Sequence, residues 1–380
     1  MRNHAKKDSI ALLIIIGINI LFSIKYGSRL TASPVLVAGM IVANFLPVAL
    51  YIISVYSKVA FINNVFQSTF TTWLLPFAFI TLSTISFFAV HQTGLHVDRH
   101  EMIRLFWDNA FSGHCPYCPR SAGTNIPGPF PFYFFAALPF YLIGEFGFFS
   151  LFGILLFTGA LMFDKTLSIK SRNLLLMLLV LSPAVWWEMA CRSTIFLNSA
   201  MLLAGMVVFD KKYSDRLAQT VWFGLLFGLL LSTRSIAFLF IAQVVVYKLK
   251  FRLFSVNGLV LATCAAIAFT GTFIPVIALC KGTFLTYNPF IVQSSLAPPV
   301  FYGAIALFSL WVVSRCADFY TFCIVSGVVC FLIVAGYFIK TCFEVGLTTA
   351  YFGSIMDISY ALLALPFLLY GLGRSETENA

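Results

Sequence analysis

Apolar residues run continuously along this chain rather than in alternation, and the runs are broken by charges or by Pro and Gly clusters. They fall near 10–25, 34–56, 70–91, 148–164, 173–188, 195–210, 218–233, 235–250, 257–280, 300–314, 319–339 and 358–373. A helix that is apolar on every side belongs in lipid or in a large core, and roughly 20 residues cross the hydrocarbon layer. The pattern predicts an all-α polytopic membrane helical bundle of about twelve spans. A further run, Phe130 to Leu142, has Pro127, Pro129, Pro131 and Pro139 in and around it. It is too short and too rich in proline to span, so it is read as a re-entrant or juxtamembrane segment.

Composition agrees with that reading. Of the 380 residues, 60% are hydrophobic and 10% charged, against about 25% charged in soluble domains. This excludes an ordinary soluble enzyme, a disordered chain and a basic nucleic-acid binder, and it leaves one integral membrane domain over 1–380. The net charge of +10 then becomes a question of sidedness. With the proline-rich run kept from crossing, Lys165, Lys170, Arg172, Lys211, Lys212, Arg216, Lys248, Lys250, Arg252 and Arg315 all fall on the side of the N-terminus, which the bias makes cytoplasmic. Lys25 and Arg29 fall on the other side and run against it. The first apolar run is read as a retained span, because no small-residue cleavage site follows it.

The outer side receives its longest connection at 92–147, which holds an amphipathic helix and the re-entrant segment. On a helix from Val97 to Ala110, Ile103, Phe106, Trp107 and Ala110 share one face, and Asp98, Glu101 and Asp108 lie within about a quarter-turn on another. Such a helix lies along the membrane interface and presents carboxylates there. Its plain alternative is a solvated polar face with no chemistry.

The loop holds an acid just beyond a span, the amphipathic helix, the step Gly113-His114-Cys115-Pro116-Tyr117, and the apolar stretch Gly128-Pro129-Phe130-Pro131-Phe132-Tyr133 ending in Leu142-Ile143-Gly144. Together these resemble the first outer loop of polytopic glycosyltransferases of the C superfamily (GT-C). Three later segments extend the likeness. Ser182-Pro183 with Trp187-Glu188, Arg192-Ser193-Thr194 and Asn198 is similar to the superfamily's turn between spans. Gly224 through Leu231-Ser232-Thr233-Arg234 is similar to its small-residue helix, and Tyr360 to Pro366-Phe367 to its closing helix. The chain departs from the pattern in having no paired acid at Asp98 and no large C-terminal outer domain.

The resemblance implies a hexosyltransferase, mannosyltransferase-like in type, that moves a sugar from a polyprenyl-phosphate donor to a glycan, lipid or protein acceptor on the non-cytoplasmic face of a bacterial inner membrane or the endoplasmic reticulum. A carboxylate takes the acceptor proton as the hydroxyl attacks the anomeric carbon. Asp98 is the expected base, with Glu101 and Asp108 as alternatives or acceptor contacts. A cation must hold the leaving phosphate, and Arg192 and Arg234 stand at outer ends of predicted spans, where a guanidinium binds phosphate bidentately. Snorkelling at a helix end is their bland alternative. Lys281, with Tyr287 and Asn288, lies in the next outer loop and is a further donor-site candidate.

Other patterns compete. Cys115-Pro116-Tyr117-Cys118 matches the glutaredoxin motif in letters but has no βαβ context, and a local Cys115–Cys118 staple is the expected state. His96, His100 and His114 are weak candidates for a divalent metal, with no cofactor otherwise implied. A transporter or flippase of a small or lipid-linked substrate is the alternative function. That class places ionisable groups at mid-membrane, whereas here they avoid the span centres.

Overall fold

The computed structural model describes residues 2–30, 33–56, 59–90, 98–121, 125–294, 299–353 and 356–373, and among these it is helical with no strand. An N-terminal group comprises α1 (Arg2–Leu30), α2 (Pro34–Ala43), α3 (Phe45–Tyr56), α4 (Ala60–Gln67) and α5 (Thr69–Ala89). The long connection after α5 contributes α6 (Arg99–Phe111) and α7 (Pro131–Ile143). The centre is formed by α8 (Gly147–Phe163), α9 (Ile169–Val180), α10 (Pro183–Ala190), α11 (Ile195–Lys212), α12 (Leu217–Leu231), α13 (Ile236–Leu249) and α14 (Val256–Cys280). Short α15 (Pro289–Ser294) leads to α16 (Pro299–Val313), α17 (Phe319–Val345), α18 (Leu347–Phe352), a 3-10 turn Ile358–Leu363 and α19 (Leu365–Gly371).

Every predicted apolar run is helical, but the lengths do not reach about twelve full spans. Among the described residues, five helices are long and apolar enough to cross a membrane: Lys7–Arg29, Pro34–Tyr56, Thr69–Ala89, Val256–Leu285 and Phe319–Val345. A sixth is added if α9 and α10 form one span, bent by 58° where Ser182-Pro183 interrupts the backbone. Helices such as α12, with 15 residues, extend only about 22 Å, less than the hydrocarbon thickness. Helix α11 is buried along most of its length, and Gly153 of α8 approaches it so closely that an added Cβ would lie 2.7 Å from the Leu197 Cα.

The backbones of α12 and α14 approach closely. A Cβ at Gly228 would sit 2.3 Å from the Ala265 carbonyl oxygen, and one at Gly224 would sit 2.6 Å from the Cys264 Cβ. Small residues four apart let two apolar helices pack backbone to backbone, where dispersion rather than water expulsion holds them. Gly228→Val will therefore push α14 away and destabilise the protein by about 1–3 kcal/mol or more. Thermal unfolding in detergent checks this, with Gly271→Ala, whose Cβ would meet nothing within 4 Å, melting no lower than wild type.

Polar contacts gather at two ends of the bundle. At one, the Asp164 carboxylate accepts hydrogen bonds from Tyr370 at 2.6 Å and Tyr320 at 3.0 Å and pairs with Lys211 at 3.0 Å. Lys248 pairs with Asp210 and Arg252 with Asp215 nearby in the chain. This end collects the basic residues that the sequence places together. At the other end lie Arg99, Arg192, Arg234 and Lys281. Helix α7 starts and finishes there: the Phe130 N–H donates to the Thr233 carbonyl at 2.9 Å, and Glu145, just past α7, pairs with Arg192 at 3.3 Å. Both termini of the proline-rich segment thus lie at one end of the bundle.

Candidate functional site

The site at the Arg234 end is built on α6 and α7, which pack by their apolar faces. Ile103, Phe106 and Trp107 are buried as the periodicity predicts, Phe106 stacks on Phe134 at 3.9 Å, and the Trp107 indole donates to the Phe134 carbonyl at 3.0 Å. Buried Tyr117 donates to the Pro129 carbonyl at 2.8 Å and pins the loop between the two helices. The chain is then clamped to α14 by a disulfide between Cys115 and Cys280. This corrects the expected Cys115–Cys118 staple: Cys118 is a free thiol, because Cys280 at the end of α14 reaches Cys115 across 165 residues.

The three acids of α6 do not converge. Asp98 stands at the N-cap and its Oδ2 accepts from Ser121 at 2.7 Å and Asn125 at 2.9 Å. Asp108 is about 15 Å further along the helix, where it accepts from Tyr141 at 2.7 Å. Glu101, one turn from Asp98, is half-buried. His100 and His114 also lie at opposite ends of α6 and do not converge on a common ion, while His96 falls outside the described residues. Burial, and then the nearby Arg192 charge, lower the pKa of His100, which favours the neutral ring.

The two arginines differ sharply. Arg192 is 3% exposed, holds a φ of 48°, and directs its guanidinium at Glu145 and at the Phe87, Val90 and Ala190 carbonyls. Its donors are used in joining the end of α5 to the turn before α11. Arg234 is half-buried, lies 5.8 Å from the centre of the Tyr133 ring, and its desolvated Nε has no hydrogen-bond partner among the described residues. The Tyr133 hydroxyl is within 2.6 Å of the Thr194 Oγ1. Lys281 is exposed, beside the disulfide, with a φ of 50°; Asn288 caps its own loop through the Ile291 N–H, at 3.2 Å.

A buried ionic cluster beside these residues was not singled out from the sequence. Arg99 opens α6 and pairs with Asp357, donates to Ser193, lies 3.8 Å from Glu188, and covers the Tyr360 ring at 5.8 Å. Glu188 is fully buried; its Oε1 accepts the Phe196 N–H at 2.9 Å and so caps the N-terminus of α11. Burial works against the Asp357 charge, but Arg99 and the Ser359 hydrogen bonds outweigh it and hold that carboxyl below its ordinary range. Lys25, which runs against the charge bias, is 2% exposed and donates to the Gly353 and Met356 carbonyls at 3.2 and 3.0 Å. A lone acid inside an apolar run requires a counter-ion, and Glu188 was the signal for this cluster. Arg99, next to Asp98 in the chain, donates to Ser193, and the following Thr194 bonds Tyr133, whose ring lies 5.8 Å from Arg234. No protein-family model, curated protein or solved structure matches the chain.

Proposed function

We propose that the protein is a membrane glycosyltransferase that uses a polyprenyl-phosphate sugar and works at the Arg234 end of the bundle. The observation that carries this reading is Arg234 itself, a half-desolvated cation with no carboxylate partner among the described residues, set over the Tyr133 ring. A guanidinium in that state is preorganised for an oxyanion, and its charge is not spent on the protein. Asp98 is the base: Ser121 and Asn125 fix Oδ2, leaving Oδ1 without a donor among the described residues. The acceptor hydroxyl gives its proton to Asp98, its oxygen attacks the anomeric carbon, and the bond to phosphate breaks with the electron pair going to the leaving group beside Arg234. The acceptor is a glycan, lipid or protein hydroxyl.

Sidedness supports the same reading. A disulfide persists in an oxidising compartment, and Cys115–Cys280 lies at the Arg234 end, while the basic residues gathered near Asp164 suit a cytoplasmic face. Reconstitution in vesicles with a panel of labelled polyprenyl-phosphate sugars tests the activity. Label passing to an acceptor is the expected result; no transfer across the panel together with substrate-dependent flux would replace the enzyme by a transporter.

A further inference from the structure

Cys118 stands beside a disulfide that it does not share. It lies on one turn with Cys115, its N–H donating to the Cys115 carbonyl at 3.2 Å, and its Sγ is 3.6 Å from the Thr283 Oγ1. Thr283 in turn bonds the Cys280 carbonyl, so the free thiol touches the turn that carries the other half of the bridge. Cys118 is half-buried and open to solvent, in contrast to Cys191, Cys316, Cys323 and Cys330, which are buried in the bundle. Buried Tyr117, between the two cysteines of the motif, fixes the turn to Pro129 and keeps Cys118 at this position.

We propose that Cys115-Pro116-Tyr117-Cys118 is an internal thiol–disulfide exchange site whose substrate is Cys280 of the same chain. The Cys118 thiol gives its proton to solvent, and the thiolate attacks the Cys115 sulfur. A Cys115–Cys118 bond forms as the Cys115–Cys280 bond breaks, and the Cys280 thiolate leaves and takes up a proton. One disulfide is exchanged for another, so no oxidant or reductant is consumed. The exchange frees the loop that follows α6 from the end of α14, and its reversal clamps it again. The two pairings of the motif are thus two states of one device, and the clamp over the polar end of the bundle opens without loss of an oxidised bond.

The test is disulfide mapping of the full-length protein in detergent, held without reductant between pH 6 and pH 9, quenched with acid and digested for mass spectrometry. Thiolate attack predicts a Cys115–Cys118 peptide beside the Cys115–Cys280 peptide, appearing faster at pH 9 than at pH 6. Cys118→Ser abolishes the exchanged form and leaves Cys115–Cys280 intact. Cys280→Ser, if it elutes as the wild type does, carries Cys115–Cys118 alone; Cys115→Ser serves as a second variant and pairs Cys118 with Cys280. Cys115–Cys280 as the sole wild-type linkage at every pH overturns the proposal. Linkages to Cys191 or Cys264 also overturn it, because they mark scrambling through unfolded chains.

Discussion

Arg99→Ala lowers the unfolding free energy by about 3 kcal/mol, the largest stability loss expected from a single substitution in the loop. The loss arises because Glu188 has no exposed surface and is left buried without the cation that faces it. Asp357 is 34% exposed and retains some water, which holds the cost near the lower end for a broken buried pair. Denaturant unfolding in detergent measures it. The double variant Arg99→Ala with Glu188→Gln recovers part of the loss, since a neutral amide is easier to bury than an unpaired carboxylate. The pH dependence has a fixed sign. The folded pKa of Asp357 is depressed, so its contribution is present above the unfolded carboxyl range, about pH 4, and is lost as pH falls through the folded value. Arg99→Ala removes that acid-sensitive component, and an unchanged acid profile would count against the pairing.

Arg234→Ala has the opposite signature. Among the described residues no carboxylate depends on this guanidinium, so melting changes little, whereas sugar transfer falls by about 10²–10³-fold because the leaving phosphate loses its cation. Donor affinity falls with it. Arg192→Ala provides the contrast: it strips partners from Glu145 and from carbonyls at the end of α5, and stability and activity fall together. An Arg234→Ala protein that binds labelled polyprenyl phosphate as tightly as wild type would remove the phosphate role. A variant that melts well below wild type would make Arg234 structural.

Much of the architecture was legible in the chain. Unbroken apolar runs form helices, and the proline-rich segment forms the short α7 with Pro131 at its first turn, where proline is tolerated. The apolar face of α6 was legible for the same reason: Ile103, Phe106 and Trp107 recur at helical spacing. Span number was less so, since periodicity does not show whether a 15-residue helix such as α12 crosses the hydrocarbon or stops within the bundle. The pairing of Cys115 with Cys280 was hidden because Cys280 ends an apolar run, where cysteine reads as one more small hydrophobe. The Arg99 cluster was hidden because its members lie in three separate segments, each with an ordinary local explanation. Arg192 and Arg234 looked alike in sequence, both being cations at helix ends. Only the count of their partners separates a bracket from an open cation.

The reading as a glycosyltransferase rests on a carboxylate and a guanidinium acting at one end of the bundle. The most direct measurement is sugar transfer by wild type and Asp98→Asn in sealed vesicles with a labelled polyprenyl-phosphate sugar that the wild type accepts. Transfer by the wild type and its loss by at least about 100-fold in Asp98→Asn, with unchanged melting and insertion, is the predicted result. Full transfer by a properly inserted Asp98→Asn protein would contradict it.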